Sequence, residues 1–172
     1  MAGLAAKYKR AMKTLIMGMG NAIITDDGIG IKVAERLREE LKGYQNITVT
    51  GTSLSGLSLL DLVAGYERVI VVDSVQTQGG RPGAIYRMIP SDLDIARNST
   101  TLHDVGLLTA LELGQKLDMD VPREVIIFSI EAEDMVTFSE RCTPEVEKAI
   151  PVVAGLILEE VARDAVAHIQ TG

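Results

Sequence analysis

The run RVIVVDS, residues 68–74, is apolar from Val69 to Val72 and then stops at an acid, Asp73. A strand with one face in water alternates apolar and polar side chains. A strand without that alternation is buried on both faces, as in parallel sheets covered by helices. TLIMGM (14–19) and EVIIFSIEA (124–132) have the same texture, and NITVTG (46–51) and GAIYRMI (83–89) supply two more strands.

Between the strands the period changes. In GIGIKVAERLREELKG (28–43), Ile29, Val33, Leu37 and Leu41 recur every fourth residue with charges between them, and Gly43 ends the run. That spacing is one face of a helix. SGLSLLDLVAG (55–65) reads as a second helix, capped by Ser53 or Ser55 and closed by Gly65. HDVGLLTALELGQKL (103–117) follows the cap-rich NSTT. Thr143-Pro144 is expected to open a short helix, and Pro151 another that runs towards Ala167. Strands alternating with amphipathic helices predict an α/β three-layer sandwich: a mostly parallel, twisted sheet of about five strands with helices on both faces.

The chain of 172 residues suits one domain, read as 13–172 behind an N-terminal tail of residues 1–12. Its 47% apolar content is enough for a core, and with four Tyr, two Phe and no Trp that core must be aliphatic. A net charge of −7 disfavours nucleic acid and anionic membranes, since nothing neutralises phosphate in bulk. The single cysteine, Cys142, excludes an internal disulfide and fits a reducing compartment. AIPVVAGLIL (149–158) is too short to span a bilayer, and no secretory leader stands out, so a cytoplasmic monomer without membrane insertion is expected.

In such sheets ligands bind beyond the carboxyl ends of the strands. Asp26 and Asp27 follow the first strand, Asp73 closes the third, His103 starts a helix, and Glu131 and Glu133 follow the fifth. Each has a plain structural alternative. Asp26 or Asp27 could cap the helix near Gly28. Asp73 could satisfy backbone donors of the next loop. His103 could be an ordinary first-turn residue, and Glu131 and Glu133 are expected at the solvent rim. Cys142 reads as a small loop residue with no partner for nucleophilic catalysis, and His168 is assigned to solvent. Taken together, two carboxylates and one imidazole on separate strand ends suit a divalent transition metal with positions left open. GMGNAI (18–23) begins like a dinucleotide loop, but Ile23 stands where a third glycine belongs, the second strand ends without an acid, and the aspartates would repel a pyrophosphate.

MGMGNAIITDDGIG (17–30), VIVVDSV (69–75) and LHDVGLLTAL (102–111), in this order, resemble the hydrogenase maturation endopeptidases, and SIEAEDMVTFSERCTPEVEKAIPVV (129–153) matches the family's tail. The resemblance covers about residues 13–163. It implies a protease domain that removes the C-terminal extension of a nickel-iron hydrogenase large-subunit precursor. It also implies that Asp27, Asp73 and His103 are the catalytic and metal-binding residues. They would meet nickel carried by the precursor, with no organic cofactor. One departure is the loop after the second strand, where the family often has Asp-Gly-Gly-Thr and this chain has Gly51, Thr52 and Ser53. Beside this resemblance, Asp26 stands open between a helix cap and a second acid for activating water. The rival readings are a non-catalytic, nickel-dependent binding module and a related α/β peptidase with another substrate.

Overall fold

The computed structural model describes residues 12–93 and 102–167. Five strands form one sheet: β1 (Thr14–Met19), β2 (Ile47–Thr52), β3 (Arg68–Val75), β4 (Ile85–Met88) and β5 (Glu124–Glu131). The helices are α1 (Ile29–Glu40), α2 (Leu59–Val63), α3 (Pro90–Leu93), α4 (Leu102–Lys116) and α5 (Pro144–Ala167). Strand order is β2-β1-β3-β5-β4, and every pairing is parallel except β4 against β5. The α/β sandwich with a mostly parallel sheet is therefore the observed architecture.

The non-alternating strands bury both faces. Ile70 and Val72 of β3 join Ile16, Ile126 and Phe128 beneath α1 and α5, and the α1 stripe Ile29, Val33, Leu37 and Leu41 lies in that layer. Val69 and Val71 join Leu15, Met17, Val125 and Ile127 beneath α2 and α4. Odd-numbered side chains of β3 and β5 thus face α4, and even-numbered ones face α1 and α5. Arg68 is the exception at the foot of β3: it is buried, donates to Thr14 Oγ1 at 3.3 Å and lies 3.8 Å from Glu124.

Several boundaries differ from the sequence expectation. The segment 55–65 is a 3-10 turn (Gly56–Ser58) running into the short α2, and neither Ser55 nor Ser58 makes a side-chain cap bond. Gly65 does end it, in the left-handed region at φ +79°. The two helices expected after Thr143 are one, since α5 continues through Pro151 to Ala167. Proline's fixed φ is helical. It costs the bond its missing N–H would have donated and crowds the turn before it, and burial of Val146, Ala149, Val153, Ala154 and Ile157 carries the helix across that weak point. Residues 98–101, the expected cap of α4, lie outside the described residues.

The topology creates one place for a ligand. From β1 the chain leaves through α1 towards β2 on one side. From β3 it leaves towards β4 and β5 on the other. Between the carboxyl ends of β1 and β3 the outgoing loops part, which is the switch point where open α/β sheets bind ligands. The start of α1 is pressed onto that point. A Cβ on Gly30 would lie 2.3 Å from both the Met19 and the Val72 carbonyl oxygens, and one on Gly18 would lie 2.0 Å from Gly30 O. Only glycine permits helix and strands to approach this closely.

Candidate active site at the β1/β3 switch point

The chain leaves β1 through Gly20, whose φ of +133° is left-handed territory, and turns into a 3-10 helix, Thr25–Gly28. Neither aspartate in that turn caps α1, as no side-chain cap bond is made at either helix start. They point to different neighbours.

Asp26 is fully buried and accepts five contacts. The amides of Glu133 and Asp134 each donate to Oδ2 at 2.9 Å. The amide of Thr143 donates to Oδ1 at 2.7 Å, and its hydroxyl lies 3.1 and 2.9 Å from the two oxygens. Such a carboxylate is committed to holding the β5–α5 loop rather than to activating a water at the carboxyl ends of β1 and β3, which corrects the expectation of a water-activating acid here. The same loop is stitched on by the Ile24–Phe138 bridge and by Thr25, whose hydroxyl donates to Thr137 O at 2.6 Å.

Asp27 is half-buried and turns towards β3. Its Oδ2 accepts the amide of Asn21 at 2.8 Å, and its Oδ1 accepts the hydroxyl of Ser74 at 3.1 Å. Asp73 is fully buried at the end of β3, with Oδ1 accepting the Ser74 amide at 2.8 Å. Ser74 therefore touches both candidate acids, one through its side chain and one through its backbone. Sequence reasoning passed over Ser74; its only signal was its place directly after Asp73. Alternation explains the arrangement, since Asp73 and Ser74 leave β3 on opposite faces and Asp27 arrives over the top of the strand.

His103 lies in the first turn of α4, on the layer that covers the Asp73 face. Its side chain, and His168 altogether, lie outside the described residues. Among the described residues no three His, Cys, Asp or Glu side chains gather as a metal site.

The remaining acids divide. Glu133 is exposed, as expected for a rim residue. Glu131 is not at the rim: it is buried and accepts the amide and hydroxyl of Thr77 at 2.6 and 2.9 Å. A Cβ on Gly80 would lie 2.1 Å from its carboxyl carbon, so Glu131 lies tight beneath the loop after β3. Tyr86 also bonds to it, and burial, followed by the Glu131 charge, pushes the Tyr86 phenol above its ordinary value. Cys142 is buried with Sγ 3.6 Å from Thr25 O. Burial first, then the nearby Asp26, raises its thiol to about 11, so it is inert at neutral pH.

Around the two acids the strand-end loops carry exposed apolar side chains. Ile23 follows β1, Leu54 and Leu57 follow β2, and Val136 and Phe138, the most exposed, follow β5. Beside them a cleft of about 570 Å³ runs between Gln76, Met135, Thr137 and Pro144. No helix among the described residues is long and apolar enough to cross a membrane.

A family model described as HycI, hydrogenase maturation protease, matches residues 31–160. The chain is 24% identical over 167 residues to the hydrogenase 2 maturation protease of Escherichia coli, covering 90% of this chain and 99% of that one. It is 23% identical over 151 residues to the hydrogenase expression/formation protein HupD of Thiocapsa roseopersicina, covering 87% and 67%. Among solved structures, the hydrogenase maturating endopeptidase HybD from E. coli has the same fold, with a TM-score of 0.73 at 24% identity over 88% of this chain and 93% of that one. A hydrogenase 2 maturation peptidase from a Thaumarchaeota archaeon aligns with a TM-score of 0.65 at 27% identity over 87% and 98%. The match of the family model over most of the chain, on this sheet order, establishes that the chain belongs to the hydrogenase maturation protease family and is a peptide hydrolase.

Proposed function

We propose that this protein is an endopeptidase that removes the C-terminal extension of a nickel-iron hydrogenase large-subunit precursor, and that Asp27, Asp73 and His103 engage the nickel the precursor already carries. The observation that supports this most is the pairing of Asp27 and Asp73 through Ser74 at the topological switch point. Two carboxylates held at the carboxyl ends of β1 and β3, with the first turn of α4 on the layer covering the Asp73 face, make a donor set suited to a borderline metal with positions open to substrate. The exposed apolar rim of Ile23, Val136 and Phe138 suits a substrate that is itself a folded protein.

In this reading the nickel enters with the substrate and polarises the scissile carbonyl as a Lewis acid. The residues of this chain fix the metal and so place the extension at the site, and water makes the attack without a covalent intermediate. Cys142 is buried and protonated, and Asp26 is sealed under its loop, so neither competes for the role. The protein acts as a cytoplasmic monomer.

The test mixes purified protein with nickel-loaded and nickel-free precursor and follows the shortened subunit by mass. Cutting of the loaded form alone is expected, and Asp73→Ala, Asp27→Ala or His103→Ala should each abolish it while the protein stays folded. Equal cutting of both precursors would sink the recognition of nickel. Nickel-dependent association without product would leave only the binding-module reading.

A further inference from the structure

The Ser129 hydroxyl is fully buried in β5 and, among the described residues, is the buried side-chain polar atom left without a hydrogen-bond partner. An orphaned buried hydroxyl is destabilising, and native proteins carry few of them. Its neighbours narrow its use. In register, Ser129 lies between Asp73 of β3 and Tyr86 of β4. Both Asp73 and Ser129 are odd-numbered residues of paired parallel strands and share the face covered by α4. Tyr86 is committed to Glu131, two residues further along β5. The remaining in-register acceptor is Asp73. A carboxylate offers about four lone-pair sites, and the Ser74 amide is one of the donors to Asp73. At a strand spacing of about 4.8 Å, rotation about χ1 of Ser129 brings its hydroxyl within hydrogen-bond reach of Asp73.

We propose that Ser129 is a positioning residue for Asp73. Its hydroxyl turns onto the carboxylate when substrate is engaged, fixing the orientation of the group. The inference rests on the reading of Asp73 as a site residue given above. It differs from an ordinary structural serine in one respect: the hydroxyl contributes nothing to stability in the resting fold, so removing it should not weaken the protein.

The experiment measures kcat and KM for precursor processing, together with Tm, in the wild type, Ser129→Ala, Ser129→Thr and Asp73→Ala. The expected result for Ser129→Ala is a fall in kcat of about tenfold, the usual scale for a group that orients a metal ligand. KM should stay within about twofold and Tm should be unchanged or raised. Ser129→Thr, which keeps the hydroxyl, should recover kcat. Wild-type kcat in Ser129→Ala beside an inactive Asp73→Ala overturns the role of Ser129 and leaves the site intact. A fall in kcat that tracks a lowered Tm, with no recovery in Ser129→Thr, overturns it as well. Full activity of Asp73→Ala would remove the underlying reading instead.

Discussion

Asp26 accepts both the backbone amide and the hydroxyl of Thr143, 117 residues further along the chain. With the Glu133 and Asp134 amides on the same carboxylate, one buried acid closes the loop that joins β5 to α5. Three backbone amides and a hydroxyl on one carboxylate replace the water it lost on burial, so no cationic partner is required.

A structural Asp26 makes a prediction that a catalytic one does not. Asp26→Ala strands these donors and should cost about 3 kcal/mol, the scale for losing bonds to a charged acceptor. That is a Tm drop of about 9 °C for a domain of this size. Asp26→Asn keeps the shape and should lose less. Below its melting range Asp26→Asn should process precursor at nearly the wild-type rate. A catalytic Asp26 would give the reverse pattern, with normal Tm and no cutting.

The difference between Asp26 and Asp27 marks the limit of what the sequence alone could say. The sheet was legible because Val69–Val72 and Ile126–Phe128 do not alternate, and α1 because Ile29, Val33, Leu37 and Leu41 do recur. Those patterns are local. Which of two adjacent acids faces the switch point between β1 and β3 depends on partners at 74, 133, 134 and 143, which lie near residues 26 and 27 only after folding. Glu131 departs from the expected rim for the same reason, since its partner Thr77 comes from another strand's loop. Pro151 reads as a helix start in the sequence because burial of Val146 and Val153 on either side of it is not a local signal.

Ser74 links Asp27 to Asp73, so it should matter to the reaction and to stability together. Ser74→Ala removes the bond to Asp27 Oδ1 and leaves the backbone bond to Asp73 in place. Precursor processing should slow by about tenfold. Tm should fall by about 3 °C, as one buried hydrogen bond of about 1 kcal/mol is lost. Unchanged processing would exclude Asp27 orientation by Ser74.

Two glycines should respond oppositely to alanine. At Gly30 the added methyl meets the Met19 and Val72 carbonyl oxygens at 2.3 Å, both of them backbone, so α1 must lift from the sheet. Gly30→Ala should cost more than about 4 kcal/mol and be seen as lost soluble yield. At Gly155, inside α5, the methyl meets nothing within 4 Å. Gly155→Ala should add about 0.5–1 kcal/mol by restricting the unfolded chain, raising Tm by about 2 °C.

Cys142 supplies a check at alkaline pH. Its thiol titrates near 9.0 when exposed but at about 11 in the fold. A raised thiol means that the unfolded chain loses its proton first. Stability is therefore complete below pH 9 and falls as pH rises from 9 towards 11. In native protein at pH 8, iodoacetamide should label Cys142 slowly, and denaturant should make labelling fast. Cys142→Ala should flatten the alkaline limb of the Tm profile. Rapid labelling of the native protein would place the thiol outside the core.

The acid limb is governed in part by Glu160. Arg87 of edge strand β4 donates through Nε and Nη2 to the two Glu160 oxygens at 3.0 and 2.9 Å, fastening β4 to α5. The Arg87 bond is the largest cause that holds the Glu160 carboxyl below its ordinary value of 4.5. A depressed carboxyl binds its proton more readily in the unfolded chain. The contribution is therefore complete above the ordinary value and is lost as pH falls through the lowered one. Arg87 is 45% exposed, so the pair is worth about 1 kcal/mol or less despite its two bonds. Glu160→Gln should lower Tm by about 3 °C at pH 7, and the difference should shrink as pH falls below the ordinary carboxylate value, because the wild type progressively loses the same interaction. Glu159→Gln is the control. Its only described ion pair is a 3.9 Å approach to Arg163 with both side chains exposed, and its Tm profile should overlay the wild type at every pH. A Glu160→Gln loss that does not shrink as pH falls would show that packing of the side chain, and not its charge, joins β4 to α5.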